Sequence, residues 1–300
     1  MPLPEKQGVG SSILPLATGF YCLKYSDTNF EKNYSILLKK IIVFNMNKNY
    51  QYNFSEKIET VESMYDKKAR IKKAKKTLAV LLDYLEKTSD LRLLDIGSST
   101  GIMTNEYSKF FEDVVGIDID SKAVEFANSK FSKKNLKFIK SPIEELNFED
   151  STFDVITCSH IYEHVPSDKV LMDKIYNLLK PGGICYFAAG NRFQIIEAHY
   201  RLPFLSYFPK NIANIYIKLF TKEKEYYENL KSYRNLKKLV KKYEIIDYTL
   251  KILKKPSFFS ADDSVKENTL KYYLVNFLAK VFYFIIPTYI WILKKPIRNR

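Results

Sequence analysis

Residues 93–101 read LLDIGSSTG. An apolar run meets a glycine, then three small hydroxyl residues, then a second glycine. That order describes a buried strand passing through a tight turn into a helix. Gly97 lets the backbone bend sharply and come close to a ligand, and Gly101 permits close packing at the helix entry. Ser98, Ser99 and Thr100 are predicted to cap the helix, with its first N–H groups pointing toward a bound carboxylate or hydroxyl. Asp95 stands at the strand end two residues before Gly97, where an acid can hold a cation through water or backbone.

The same alternation continues on both sides. LRLLDI (91–96), DVVGID (113–118), LKFIK (136–140), FDVITCS (153–159) and ICYFAA (184–189) read as strands. Helical stretches separate them, running from the glycine loop through Phe111, over Lys122–Phe131, and from the fourth strand through Leu179. PGG at 181–183 reads as a turn. Apolar strands alternating with helices predict a parallel sheet covered on both faces. Upstream, Ile71, Leu78, Leu81, Leu82 and Leu85 recur at spacings of three, four and seven, which predicts helix between Glu56 and Leu85. Downstream, EIIDYTLKIL (244–253) is expected to form a sixth strand.

Asp118 ends the second strand about twenty residues past the loop, where a carboxylate accepts two hydrogen bonds from a ribose diol. LLKPGG (178–183) closes the segment. A glycine loop alone is weak evidence of a nucleotide site, but the set is specific. It resembles the class I S-adenosylmethionine-dependent methyltransferases. DIGSSTG is similar to the family's first motif, GIDIDSKAVEFA (116–127) to its second, SPIEELNFEDSTFDVI (141–156) to its third, and LLKPGG to the closing one.

That resemblance implies S-adenosylmethionine as cofactor and an α/β, Rossmann-like three-layer αβα sandwich. The sheet would have seven strands, mostly parallel, with an antiparallel last strand. Asp95, Gly97, Ser98, Ser99 and Gly101 would lie against the methionine part and Asp118 on the ribose. Ile119 would pack on the adenine, and Ile143, beside Pro142, would offer it a backbone N–H. Ser99 replaces the usual middle glycine, and its hydroxyl is expected to donate to the ligand. Pro142 stands where the family often has an aspartate, so that contact is absent or supplied by Glu144.

TCSHIYEHVPSDKV (157–170) follows the fourth strand, and ligands sit at the carboxyl ends of such strands. Cys158, Ser159 and His160 are therefore expected near the methionine end. His160, Glu163 and His164, spaced i, i+3, i+4, share one face if a helix begins there. Three readings stay open. His160 or His164 removes a hydroxyl proton as methyl transfer proceeds. His160, Glu163 and His164 bind a divalent metal, since TCSHIYEHVP is similar to the ubiquinone-pathway O-methyltransferases, which place a carboxylate at position 160. Or Glu163 and His164 only tie a helix to a neighbouring loop.

The chain carries a formal net charge of +14, and residues 191–300 hold 22 Lys and Arg against 9 Asp and Glu. Such a surface attracts an anionic partner or reflects a general excess of lysine. Residues 191–236 make a long connection, expected to cover the acceptor. His199, Tyr200 and Arg201 are its candidate acceptor contacts. This insert and the ending PTYIWILKK also resemble uncharacterised methyltransferases found with surface-glycan enzymes.

YYLVNFLAKVFYFIIPTYIWIL (272–293) is the most apolar run, but Asn276, Lys280 and Pro287 interrupt it, so a helix followed by a strand is expected rather than a membrane span. The basic flank and its aromatics leave peripheral attachment to a membrane surface open. Cys22, Cys158 and Cys185 form no CxxC pair, which argues against a disulfide framework or zinc site and for a reduced, cytoplasmic protein.

The expected organisation is an irregular arm over 1–45, for which a natural start at Met46 is an equal alternative, and helices over 46–90. A cofactor core spans 91–190, an acceptor insert 191–243, and strands and a helix over 244–300 complete the sheet. The acceptor is expected to be a glycan, a lipid-linked sugar or a quinone-like small molecule. A nucleic-acid methyltransferase is disfavoured because no Asn/Asp-Pro-Pro-Tyr motif for a flipped base occurs. A non-catalytic S-adenosylmethionine-binding module is the other alternative.

Overall fold

The computed structural model describes residues 64–223, 225–263 and 265–297. The expectations for residues 1–45 and for the start of the following helical region lie outside them. The sheet is built from β1 (Arg92–Ile96), β2 (Asp113–Asp118), β3 (Leu136–Lys140), β4 (Phe153–Ser159), β5 (Leu179–Gly190), β6 (Glu244–Asp247) and β7 (Thr288–Lys294). Its order is β3-β2-β1-β4-β5-β7-β6. The first five strands pair in parallel, while β7 runs antiparallel to both β5 and β6.

Alternate residues of each strand serve opposite faces, and both faces are buried. Leu94, Ile96, Val115, Ile117, Ile156, Phe187 and Trp291 pack under α4 (Asp168–Leu178) and α6 (Tyr233–Leu239). Leu93, Val114, Val155, Ile184, Tyr186 and Ile292 pack under α1 (Lys67–Tyr84), α2 (Ile102–Tyr107), α3 (Ser121–Lys130) and α7 (Thr249–Lys254). The three-layer αβα expectation is met. Two further helices, α5 (Lys210–Phe220) and α8 (Leu270–Val281), carry broad exposed apolar faces. Among the described residues no helix is long and apolar enough to cross a membrane.

Two elements differ from the sequence reading. The strand expected over 244–253 stops at Asp247, whose Oδ1 accepts a hydrogen bond from the Thr249 amide at 2.8 Å. The chain turns there into α7, which buries Tyr248 and Ile252, one helical turn apart, against the sheet. The PGG turn lies inside β5 instead of preceding it. Phe153 pairs with Leu179 and Val155 with Ile184, so residues 180–183 bulge opposite Asp154.

Candidate functional site

The loop after β1 is held against the end of β2. The amides of Gly97 and Ser98 both donate to the Ile117 carbonyl at 2.9 Å. The Ser99 amide donates to Oδ2 of Asp118 at 2.7 Å, and the Asp120 amide to Oδ1 at 2.9 Å. The Ile119 amide adds a further backbone donor, and the two carboxylate oxygens have capacity beyond these three bonds. Burial pushes the Asp118 carboxyl up, and the amide donors oppose that rise.

Gly97 sits at φ +76°, and a Cβ there would lie 2.1 Å from Cδ1 of Ile161, so the segment after β4 rests directly on the loop. Ser99 adopts φ +51°, the left-handed region that favours glycine. The predicted serine caps do not form. Gly101 occupies the cap position of the short α2, Thr100 donates its hydroxyl to the Met64 carbonyl, and the buried Oγ atoms of Ser98 and Ser99 have no hydrogen-bond partner.

Asp95 is buried at the end of β1. Thr104 and Thr157 donate their hydroxyls to its two oxygens at 2.6 Å each, which ties α2 and β4 to β1. Burial raises its carboxyl to about 6 against those donors. The positive charge of Arg70, on α1, acts on both Asp95 and Asp118. Sequence reasoning missed Arg70, Thr104 and Thr157, because their partners lie on other elements.

On the far side of Asp118, the Ser141 amide donates to the Asp118 carbonyl at 3.0 Å, bringing Ile119, Pro142 and Ile143 to one strand end. The Ile143 side chain points into the core, which leaves its backbone for a ligand. The thiol of Cys158 is buried in the core and pushed well up by burial, and the half-buried Ser159 follows it at the end of β4.

Residues 160–166 form a turn, and the next helix starts at Asp168, so His160, Glu163 and His164 do not share a helical face. His160, at φ +57°, hydrogen-bonds through Nδ1 to Oε1 of the buried Glu163 at 3.2 Å. The carboxylate must accept, so Nδ1 carries the proton. Burial pushes Glu163 up, but the hydrogen bond and charge of His160 outweigh it and hold it below its ordinary value. His164 turns the other way. Burial drives it down to about 4, which makes it a poor base at neutral pH.

His164 faces the insert. Its ring meets that of His199 edge-on at 4.9 Å, and its Nδ1 lies 3.9 Å from Oε1 of Glu228. Ligand atoms of His164, His199 and Glu228 all fall within 4.8 Å of one another. The metal set expected from sequence, His160, Glu163 and His164, is not what the structure assembles. Glu228 reaches this place because the Asn229 amide donates to the Glu163 carbonyl at 2.8 Å and the Lys231 amide to the Tyr162 hydroxyl at 3.0 Å.

The insert has a small core of its own, built on Leu205, Ala213, Ile217 and Tyr226. Tyr200, expected to grip the acceptor, packs against that core and donates its hydroxyl to the Glu225 carbonyl at 3.2 Å. Arg201 is exposed at φ +56°.

Residues 94–187 match the family described as a methyltransferase domain. These residues form a class I S-adenosylmethionine-dependent methyltransferase domain. The ubiquinone biosynthesis O-methyltransferase of Psychrobacter cryohalolentis is 32% identical over 125 residues, 38% of this chain and 49% of that protein. That of Bordetella avium is 33% identical over 123 residues, 38% of this chain and 51% of its own length. The chain thus spans about half the length of the curated relatives it matches. Among solved structures, the YcgJ protein of Bacillus subtilis aligns with TM-score 0.45 and 14% identity over 74% of this chain and 99% of its own.

S-adenosylmethionine is the cofactor of this methyltransferase domain, and the residues present fit it. Two buried serine hydroxyls lack partners beside an aspartate with spare acceptor capacity, which suits a polyhydroxylated, charged nucleoside.

Proposed function

We propose that the chain transfers the methyl group of S-adenosylmethionine to an oxygen of a small acceptor: a glycan, a lipid-linked sugar or a quinone-like ring. The observation that carries the oxygen acceptor is the His160–Glu163 pair at the carboxyl end of β4, one residue before the side chain that rests on Gly97. The names of the matching relatives, O-methyltransferases of ubiquinone biosynthesis, support the same reading.

When bound, S-adenosylmethionine supplies an electrophilic methyl group on a sulfonium. Asp118 would hold the ribose hydroxyls, and the hydroxyls of Ser98 and Ser99 would serve the rest of the cofactor. Glu163 holds the proton on Nδ1 of His160, so that Nε2 takes the proton of the acceptor hydroxyl as the oxygen gains its methyl group. Ile161 and the insert exclude water from the mouth of the site.

A membrane surface is the proposed setting. Leu270, Tyr273, Leu274, Phe277, Leu278 and Val281 form an exposed stripe along α8 at helical spacing, continued by Phe282 and Phe284. Lys271 and Lys280 flank it, within a region of net charge +13 over residues 191–300. Aromatic and apolar residues on one face with lysines beside them suit an anionic bilayer interface, at the cytoplasmic side of the membrane. A prenylated or lipid-linked acceptor would be met there.

The test is methyl transfer from labelled S-adenosylmethionine, by the full chain, to a prenylated catechol and to fractionated glycolipids. Label on a hydroxyl oxygen is expected, with kcat reduced by about 10²–10⁴ in His160→Gln and cofactor affinity unchanged. Transfer only to nitrogen, or an unaltered kcat in His160→Gln, overturns the reading.

A further inference from the structure

We infer that His164, His199 and Glu228 form a binding site for one divalent transition-metal ion between the methyltransferase domain and the insert. Each offers one ligand atom, and the three atoms lie within 4.8 Å of one another. Two imidazoles and one carboxylate are the ligands of open catalytic zinc sites, and suit ions of borderline softness. A tetrahedral zinc site has ligand atoms about 3.3 Å apart. Loading therefore draws the three side chains together by small rotations.

The Tyr200 side chain hydrogen-bonds the Glu228 carboxylate. His164 Nδ1 and Glu228 Oε1 lie 3.9 Å apart, too far for a direct hydrogen bond. Oε2 of Glu228 is buried and has no hydrogen-bond partner.

The residues around the three ligands are also arranged for a metal. Glu197, fully buried, accepts from Nδ1 of His199 at 2.9 Å and from the amides of His199 and Tyr200 at 2.8 and 2.9 Å. A carboxylate accepting from Nδ1 fixes the tautomer and frees Nε2 as a metal ligand, the usual support of a metal-bound histidine.

Charge points the same way. Glu163, Glu197 and Glu228 are all buried around this cluster. His160 bonds Glu163 and His199 bonds Glu197, while Lys210 is held by the carbonyls of Tyr226 and Glu228. A divalent ion placed here meets a carboxylate-rich, buried setting and bridges the two parts of the chain. With three protein ligands it retains an open position for an acceptor oxygen.

Binding is testable without turnover, so its failure is distinct from failure of the methyl-transfer reading. The full chain, stripped with a chelator, is titrated with Zn2+ by calorimetry and with Co2+ by its visible absorption, while S-adenosylmethionine affinity is followed in parallel. One equivalent of metal is expected. Affinity should fall at least about tenfold in His199→Ala and Glu228→Gln, and about 10–100-fold in Glu197→Gln, with the cofactor still bound. No saturable binding by the unaltered chain overturns the site, whatever the variants do. So does unchanged affinity in a folded His199→Ala or Glu228→Gln.

Discussion

The amide of Ser99 donates to Oδ2 of Asp118 at 2.7 Å, joining the loop that leaves β1 to the end of β2. The two strands are parallel neighbours with Ile96 opposite Ile117, so the bond fixes the width of the cleft between them. Asp118→Asn keeps the shape but leaves one amide of the pair facing an NH2 group. Hydrogen bonds to a charged group contribute about 1.5–3 kcal/mol, so S-adenosylmethionine should bind at least about tenfold more weakly. Calorimetry on the full chain checks this, and a Kd within about twofold of the unaltered protein removes Asp118 from the site. Ser99→Ala, which removes only a hydroxyl, should weaken binding several-fold.

Asp95 makes a prediction about acidity. Its carboxyl titrates near 3.8 when unfolded and at about 6 when folded, chiefly because it is buried. The folded state therefore holds the proton more tightly. Stability contributed by this group is full below about pH 4, falls as pH rises toward 6, and is flat above. At about 1.4 kcal/mol per pH unit, the fall is about 3 kcal/mol. Urea unfolding at pH 4.5 and 7 should show a smaller pH difference in Asp95→Asn than in the parent. Equal differences would show that Asp95 does not titrate in this window.

Gly101 leaves no room for a single methyl group. It sits at φ +73°, and a Cβ there would come 2.6 Å from the Phe138 ring and 2.8 Å from the Ala127 Cβ. Backbone strain and overpacking add, so Gly101→Ala should lose about 3 kcal/mol of stability. Denaturant midpoints measure it, and a loss under about 1 kcal/mol would mean that α3 gives way freely.

The exposed face of α8 predicts salt-sensitive lipid binding. The full chain should co-sediment with phosphatidylglycerol vesicles, and less with phosphatidylcholine ones, losing attachment as salt rises. Leu274→Glu with Phe277→Glu should abolish it without altering the circular dichroism, because both side chains point to solvent. Failure of the unaltered chain to bind anionic vesicles ends the proposal.

The central strands were legible because each is an apolar run bounded by turn residues, and because Gly97, Asp118 and LLKPGG keep fixed positions on them. Residues 244–253 misled for a local reason. Their β-branched, aromatic composition suits a strand, and only the Asp247 carboxylate turning back on the Thr249 amide stops it. HIYEHV has helical spacing, yet His160 at φ +57° breaks the pattern at its first residue. The partners of Asp95, and Glu228 beside His164, were invisible because sheet order and insert return bring together residues 62 and 64 positions apart. One local signal was overlooked: Glu197 stands two residues before His199, close enough to bond both its ring and its amide.

The placement of β7 between β5 and β6 sets an order of events at the ribosome. Every other strand of the sheet is synthesised before Thr288. Until then β5 presents a bare edge and β6 has nothing to pair with. Before that point the nascent chain can pair at most the five parallel strands, with β5 at their border. Trp291 closes it, filling the gap beside Phe187 only at the end of translation of the sheet.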